Sequence, residues 1–310
     1  MRLARLNRLD ARASRLLRWA AFAGAAVVFL ALIAILYQLI NGASLAIGKY
    51  GVGFVGRTQW SPSTDSYGAW SLVYGTLVTS VCSLVMATFL GVAIGLFLSL
   101  MAPRRVSAVI GPLVEMLAAI PSVVLGLIGI YLIAPFVLND MEGWLHAAFG
   151  FIPIFGAPGT VGNSAFTASL VLVIMVVPII AALTRDLFLT VPQELRDGAE
   201  ALGATRWEMI RGIVLPTTQS GIVAACVLGF GRAIGEAIAV TQVVGNITKV
   251  FTNLFDRGDT MASLVASQFL TPVSALHTSS MFFLALILLV LGLATNLLAR
   301  YVSHHFGRIR

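Results

Sequence analysis

An arginine and a glutamate stand four residues apart in a long apolar stretch of the sequence, at Arg232 and Glu236. In a continuous helix this spacing places both side chains on one face, one turn apart. A charge near mid-bilayer depth costs at least about 2.5–3.5 kcal/mol on insertion scales, so such residues pair or face a polar cavity. Two interpretations stay open: an internal ion pair that locks helices together, or a solute pathway in which Arg232 contacts an anion.

The second interpretation fits the chemistry of the guanidinium group. Its planar fork donates two parallel hydrogen bonds to an oxyanion such as phosphate, and it stays charged throughout. Glu236 would then hold Arg232 while the anion is absent. Gly231 and Gly235 add a G-x-x-x-G pattern, and Gly229 lies close by. These glycines predict a bare helix surface that a neighbouring helix can approach.

A third ionisable residue in an apolar stretch is Glu115, about one turn from the cytoplasmic end of that stretch. Two roles stay open for it: a structural one, with the carboxylate reaching water, or a role in gating and the pathway. The four histidines form no ligand cluster, and Cys82 and Cys226 lie singly in apolar runs. We therefore expect no catalytic residue, no metal and no cofactor bound by this chain.

Membrane-spanning helices must position these residues. Of the 310 residues, 58% are hydrophobic and 11% are charged, whereas a soluble domain has roughly 25% charged residues. A spanning helix needs about 20 mostly apolar residues, and the apolar runs here are continuous rather than alternating as in a membrane barrel. The sequence predicts an all-α polytopic membrane protein with about six transmembrane helices. The predicted spans are 19–41, 72–101, 108–138, 165–189, 217–245 and 279–302.

Lysine and arginine fall mainly on one side of these spans. Fifteen lie in the N-terminal tail, the loop between spans two and three, the connection between spans four and five, and the C-terminal end, while four lie on the other side. Positive charge marks the cytoplasmic side, so both termini are expected in the cytoplasm. This distribution also accounts for the net charge of +7 without nucleic-acid binding, since no basic stripe with interleaved aromatic residues occurs.

The chain begins with a basic segment in which six arginines precede the first apolar run. That run has about 22 residues, longer than the apolar core of a signal peptide, so we interpret it as an uncleaved first span. The basic segment is either a short helix on the anionic inner leaflet or a disordered tail. The predicted organisation is a cytoplasmic segment 1–18, a first helix and external loop 19–71, a permease transmembrane domain 72–302 and a cytoplasmic tail 303–310.

The longest loops, 42–71, 139–164 and 246–278, are all external by the charge rule. The loop 139–164 carries phenylalanines and isoleucines between its glycines and prolines. We expect so apolar a loop to pack on the outer mouth of the protein rather than extend into water.

The segment between the predicted fourth and fifth spans has good helix formers, a break at Gly203 and a second helical piece that ends at Pro216. Leu195, Ala199 and Leu202 recur at three- and four-residue steps, which places them on one helical face. A helix with an apolar stripe on a cytoplasmic surface suits docking into a groove of a partner protein. Taken without any resemblance, an ordinary connecting loop is the alternative.

This segment resembles the EAA loop of ABC-type importer permeases, which carries the coupling helix that seats in the ATPase subunit. The glycine, the run Ala204–Trp207 and the Ile-x-Leu-Pro ending match, whereas Asp197 and Gly198 stand where the motif has Glu and Ala. The resemblance implies that the coupling segment 190–216 binds an ATPase. The residues implied are Asp197, Gly198, Ala199, Glu200, Gly203, Ile213, Leu215 and Pro216.

Further runs resemble the PstC-type permeases of phosphate ABC transporters, in the binding-protein-dependent importer permease family. These runs are Trp60–Pro62, Tyr67–Ser80, Glu115–Ser122 and Gly231–Val240, followed by Gly245 and Asn246. The resemblance covers roughly residues 54–302 and implies a type I ABC importer permease fold. It also implies ATP-driven import of inorganic phosphate across the bacterial cytoplasmic (inner) membrane by alternating access, with Arg232 and Glu236 on the substrate pathway. Glu115, with its two roles still open, is the third candidate for this pathway.

The same resemblance implies the other parts of the transporter. A PstA-like second permease subunit would complete the pathway, and a PstB-like ATPase dimer would bind the coupling segments. A periplasmic or surface phosphate-binding protein would deliver the anion. No G-x-x-x-x-G-K-[ST] motif occurs in the chain, so ATP and Mg²⁺ would reside on the partner ATPase, and the chain is expected to be a transporter subunit rather than an enzyme.

Three alternatives stay open. The first is an ABC permease for another oxyanion such as molybdate or sulfate, which the gene of a neighbouring phosphate-binding protein would argue against. The second is an ion-coupled secondary transporter or channel, whose uptake would survive nucleotide depletion. The third is a membrane-embedded enzyme, and the predicted spans contain no nucleophile–base pair or metal constellation that would support it.

Overall fold

The computed structural model describes the backbone of residues 2–307 and the side chains of residues 17–298 and of Tyr301. Within this range the regular secondary structure is helical, and six stretches are long and apolar enough to cross a membrane. The prediction of an all-α polytopic chain with six spans is confirmed. The spans are Leu17–Gly42, Trp70–Met101, Ser122–Phe149, Ala165–Leu189, Arg206–Gly235 and Ala275–Leu298.

The helices that position the site are numbered in chain order. They are α1 (Arg2–Gly42), α2 (Trp70–Leu96), α3 (Arg104–Leu117), α4 (Ser122–Phe149), α5 (Ala165–Leu189), α6 (Gln193–Ala201), α7 (Arg206–Gly235), α8 (Ile238–Val243), α9 (Met261–Gln268) and α10 (Ala275–Gly307). Wider π-helical turns extend α2 at Phe97–Met101 and interrupt α4 at Gly129–Ile133 and Val137–Met141, and α7 at Ile210–Val214.

The centre of the fold is the pair α2 and α5, which pack along most of their length. Gly91 and Gly95 of α2 face α5 so closely that an added Cβ would lie 2.8 Å from Ile180 Cβ and 2.3 Å from Thr184 Oγ1. This is the small-residue spacing that lets two membrane helices approach closely. Around the pair, α7 packs on α2, α5 and α10, and α8 packs on α4 and α5.

The first helix lies at the edge of the bundle. It packs mainly on α10, where an added Cβ at Gly42 would lie 2.5 Å from the ring of Phe282. Since α1 begins at Arg2, the backbone of the basic segment is helical. The side chains of residues 1–16 lie outside the described residues, so contact of this segment with the inner leaflet stays one of two open interpretations.

The third span differs from its prediction. The expected span 108–138 is divided, because α3 ends at Leu117 and the spanning helix α4 begins at Ser122, after Pro121. Proline has no N–H to donate to a helix and disfavours helical backbone in the residue before it, which explains the division. Glu115 therefore lies in the separate helix α3, on the side of the coupling segment, and not inside a span.

The apolar loop predicted at 139–164 is shorter than expected, because α4 extends to Phe149. The hydrogen bonds that hold the loop include one from Gly159 N to Glu142 Oε2 at 2.7 Å and one from Asn253 Nδ2 to Ala157 O at 2.7 Å. The loop thus packs on α4 and on the connection between α8 and α9. The prediction that it packs on the protein is confirmed.

Candidate substrate pathway and coupling surface

The fifth span is broken beside the two charges. α7 ends at Gly235, Glu236 has extended backbone with φ −72° and ψ 120°, and α8 begins at Ile238. The expected continuous helix over 217–245 is therefore wrong. Because Glu236 leaves the helix, it does not stand one turn above Arg232 on a common face. Non-helical backbone at membrane depth is tolerated where it is buried in protein or lines a water-filled cavity.

Each charge lies at the helix end that suits its sign. Arg232 is in the last turn of α7, where the partial negative charge of a helix C-terminus favours a cation. Glu236 Oε1 accepts a hydrogen bond from Ala239 N at 3.3 Å, in the first turn of α8. Among the described residues, Arg232 has no ion-pair partner. The expected tether between Arg232 and Glu236 is therefore absent from this structure.

The face of α7 around Arg232 is not covered by this chain. Arg232 is exposed, and an added Cβ at Gly231 or Gly235 would meet nothing within 4 Å. Only Gly229 makes the expected close approach, since an added Cβ there would lie 2.7 Å from Val176 Cγ1 of α5. The other two glycines leave an open surface beside the guanidinium.

By contrast, α8 is fixed firmly on the other side of the break. An added Cβ at Gly126 of α4 would lie 2.6 Å from Gln242 Nε2, so the two helices pack closely. Asn163 Nδ2 donates to Gln242 O at 3.2 Å, and Thr241 Oγ1 donates to Ala237 O at 2.7 Å. The break at Glu236, whose backbone is extended, therefore forms a joint next to an anchored helix.

Glu115 lies elsewhere. Its Oε1 is 2.8 Å from Arg185 Nη2, which links α3 to the end of α5. Gly111 permits this arrangement, because an added Cβ there would lie 2.6 Å from Arg185 Nη1. The structure brings Glu115 together with Arg185, a partner that no spacing in the sequence indicates, and does not pair it with Arg232. A pathway role for Glu115 stays a prediction.

The coupling segment folds as two helices joined at Gly203, as predicted. α6 ends in a Schellman motif, in which Gly203 N donates to Glu200 O at 3.0 Å and Ala204 N donates to Ala199 O at 3.0 Å. Gly203 has φ +85°, a conformation that side chains disfavour. This backbone geometry is the physical reason for a glycine at the break.

The second helix of the segment begins with a capping box. Thr205 Oγ1 accepts from Glu208 N at 3.3 Å, and Glu208 Oε2 accepts from Thr205 N at 2.8 Å. The expectation that this helix ends at Pro216 is wrong, because it continues through a π-helical turn into the fifth span. Pro216 lies at the start of the regular part, where the wider turn accommodates its missing N–H.

α6 presents two faces of different character. Leu195, Ala199 and Leu202 line one shallow apolar depression of about 440 Å³, which confirms that they share a face. Leu202 is 90% exposed, so this face is open to a partner. Asp197 and Glu200 line a separate, larger cavity on the side of α3.

Comparison with known proteins gives the family. The model of binding-protein-dependent transport system inner membrane components matches residues 87–308. The phosphate transport system permease protein PstC of Mesorhizobium japonicum is 36% identical over 284 residues, covering 90% of this chain and 86% of that protein. PstC of Pasteurella multocida is 39% identical over 269 residues, covering 85% and 83%. The chain belongs to the PstC family of transport permeases.

The similarity of this PstC-type permease to its relatives extends over nearly the whole chain. PstC 1 of Mycobacterium tuberculosis is 36% identical over 321 residues, covering 96% of this chain and 95% of that protein. Among solved structures, a bacterial alginate ABC transporter has a chain with a TM-score of 0.58 at 17% identity, covering 92% of this chain and 95% of that chain. A chain of the inward-facing MetNI methionine ABC transporter gives 0.56 at 16% identity, covering 80% and 99%. These similarities confirm the ABC importer permease fold.

Proposed function

We propose that this PstC-type permease forms part of the membrane pathway of an ATP-driven importer of inorganic phosphate. The single observation that carries the proposal is Arg232, an exposed guanidinium with no ion-pair partner among the described residues, beside a break in its span. Such a group binds phosphate through two parallel hydrogen bonds and cannot lose its charge. The names of the PstC relatives support phosphate as the cargo.

A PstA-like second permease subunit would cover the open face of α7. Facing lipid, Arg232 would cost at least about 2.5–3.5 kcal/mol near mid-bilayer depth, whereas a water-filled space between two subunits removes that cost. The bare surface at Gly231 and Gly235 would then let water and anion approach the helix backbone. On this proposal Arg232 contacts the anion and Glu236 lies next to it on the pathway.

The coupling segment would bind one subunit of a PstB-like ATPase dimer, which holds the ATP and Mg²⁺. The apolar depression beside Leu195 and Leu202 suits insertion into a groove of that partner. This assignment places the coupling segment and both chain termini in the cytoplasm, in agreement with the positive-charge rule. A periplasmic or surface phosphate-binding protein would deliver the anion to the opposite face.

Transport would follow an alternating-access cycle. ATP binding would close the ATPase dimer and move the coupling segments, and this movement would open the pathway toward the binding protein. Hydrolysis would return the pathway to the cytoplasmic side. α8 is anchored to α4 while the backbone of Glu236, between α7 and α8, is extended, so movement of α7 would be taken up at that joint.

Reconstitution of the co-purified complex in proteoliposomes tests the proposal. We expect accumulation of radiolabelled phosphate that requires enclosed ATP and an added phosphate-binding protein, with little competition from equimolar sulfate or molybdate. Preferential uptake of sulfate or molybdate would reassign the cargo within the same family. Uptake without ATP would contradict the ATP-driven mechanism.

A further inference from the structure

A cavity of about 610 Å³ lies between α6 and the connection from α2 to α3. Four arginines line it, and each comes from a different element: the start of α3, the end of α5, the middle of α6 and the start of α7. They are Arg104, Arg185, Arg196 and Arg206. The fold therefore gathers four guanidinium groups that are spread over a hundred residues of sequence.

Three of these arginines are unpartnered in the described part of the chain. Neighbouring carboxylates hold Arg185, at 2.8 and 3.1 Å. Arg104, Arg196 and Arg206 form no ion pair there, and the Nε of Arg196 is buried without a hydrogen-bond partner. A buried donor that lacks a partner destabilises the folded protein, so a bound acceptor group would remove this penalty.

The charge balance of the cavity favours an anion. Asp197 and Glu200 line it as well, but neither forms an ion pair with the arginines. Because two carboxylates already hold Arg185, the lining groups that remain unpaired in the described chain are three arginines and two carboxylates, an excess of one positive charge. The negative charge of a phosphate group would offset this excess, and its oxygens would accept hydrogen bonds from the unpaired guanidinium groups. The volume is many times the roughly 30 Å³ share of one water molecule, so the group would fit with its hydration.

We propose that this cavity binds a phosphate group, either cytoplasmic inorganic phosphate or the headgroup of an anionic phospholipid. Arginine forks are suited to phosphate oxygens, and basic pockets beside membrane helices on the cytoplasmic side bind anionic headgroups. Helix α3 makes the second source accessible, because it begins with Arg104 and also exposes the apolar side chains of Val109 and Met116, which are 62% and 67% exposed. The bound group would tie α6, and with it the coupling surface, to α2 and α3.

This site lies apart from the face of Arg232, so its proposed ligand does not depend on which anion the pathway transports. The test uses a thiol probe at Ala108→Cys, an exposed position that lines the cavity, with Cys82 and Cys226 replaced by serine. The complete complex is placed in nanodiscs of phosphatidylcholine and labelled with a neutral maleimide. One arm adds inorganic phosphate against chloride at equal ionic strength, and the other replaces a third of the lipid by phosphatidylglycerol.

In the first arm, labelling is expected to slow about threefold once phosphate reaches twice its dissociation constant. Slowing in the phosphatidylglycerol arm alone assigns the site to a lipid headgroup. Protection is expected to vanish in the double variant Arg104→Gln and Arg196→Gln. The matched control removes two arginines that do not line the cavity, Arg105→Gln and Arg211→Gln, and is expected to keep protection.

Three outcomes would overturn the proposal. Labelling of the thiol could be slowed in neither arm, it could be slowed as much in the cavity variant as in the parent, or the control variant could lose protection as fully as the cavity variant is expected to. If the ATPase shields the thiol, thermal stability of the complex replaces labelling as the measurement. Phosphate or phosphatidylglycerol should then raise the melting temperature of the parent and the control but not of the cavity variant. Arg232→Leu should leave these results unchanged, which separates this site from the proposed pathway.

Discussion

Glu115 of α3 and Arg185 at the end of α5 form an ion pair of 2.8 Å between helices that flank the arginine-lined cavity. The pair fixes α3, which lies before the true start of the third span, onto the central α2–α5 pair. Together with Asp186, Glu115 thus occupies one of the guanidinium groups that line the cavity. The carboxylate that the sequence places on the pathway is thus engaged on the side of the coupling segment.

We expect Glu115→Gln to lower stability only slightly and to leave uptake largely intact. The pair is partly exposed, and such pairs contribute about 0–1 kcal/mol. Thermal unfolding of the purified complex and phosphate uptake are the measurements. Exchange of the partners, with Glu115→Arg and Arg185→Glu together, should recover the lost stability. If Glu115→Gln abolished uptake without changing stability, Glu115 would be a pathway residue after all.

Arg232→Leu is expected to reduce phosphate uptake by about ten- to a hundredfold, since hydrogen bonds to a charged group contribute roughly 1.5–3 kcal/mol. The complex should still assemble, because Arg232 is exposed and forms no ion pair within the described chain. Uptake in proteoliposomes and subunit recovery are the two readouts. Arg57→Leu is the control, because that arginine lies over the ring of Tyr50 at 5.0 Å, outside α7. Normal uptake by a well-assembled Arg232→Leu complex would refute the proposed anion contact.

Leu202→Ser should weaken ATPase retention by about ten- to a hundredfold. Leu202 is 90% exposed beside the apolar depression, and burying a leucine side chain contributes roughly 1.5–3 kcal/mol. Co-purification of the ATPase under dilution gives the affinity. Leu270→Ser is the matched control, with a leucine 87% exposed in the connection between α9 and α10. Equal retention in both variants would argue that this face is not the docking surface.

Charge reversal at Asp197 and Glu200 is expected to loosen ATPase binding as well, but by a different route. Both residues line the cavity with four arginines, so two lysines there would repel these arginines and displace α6 from the rest of the protein. The neutral pair Asp197→Asn and Glu200→Gln should have a smaller effect. ATPase retention at low and high salt is the measurement, since salt screens the repulsion. Unchanged retention after reversal would contradict a role of α6 in docking.

Asp259, between α8 and α9, should make stability depend on pH in an unusual direction. It is 3% exposed, and burial raises the pKa of its carboxyl to about 6, although hydrogen bonds from Ser263 and Thr260 oppose this. The native state therefore holds a proton that the unfolded chain releases near pH 4. Stability then falls as pH rises from about 4 to about 6, by at most about 3 kcal/mol, and stays level above.

Asp259→Asn should remove this fall, because the amide keeps an acceptor for Thr260 N and cannot ionise. Melting temperatures of parent and variant across this pH window give the test. The two curves should diverge as pH rises, with the variant the more stable above about pH 6. Parallel curves would show that Asp259 ionises in the folded protein as readily as in the unfolded chain.

The number and order of spans could be predicted because each depends on an apolar run of sufficient length, whatever surrounds it. The break at Gly203 could be predicted for the same reason, because a helix often ends at a glycine with positive φ, here +85°, whatever packs around it. The exposed stripe with Leu202 followed from helical periodicity. These features need only the residues of one segment.

The errors arose where a long apolar run contains an interruption. The predicted third span begins too early, because hydropathy does not register Pro121 as a boundary. The predicted fifth span continues through Glu236, whose extended backbone depends on the packing of α8 against α4. The pairing of Arg185 with Glu115 and the gathering of arginines around α6 depend on tertiary structure. No spacing within one segment contains that information.

The helix that begins in the coupling segment at Arg206 is the same one that carries Arg232, with a π-helical turn but no loop between them. At 1.5 Å per residue, these two arginines stand about 39 Å apart along one rod. A push or twist applied at the first would reach the second as rigid-body motion, with little loss in flexible linkers. On the proposed function, energy released outside the bilayer would act on the proposed anion contact through this one continuous helix, which would pivot where it meets the anchored helix α8.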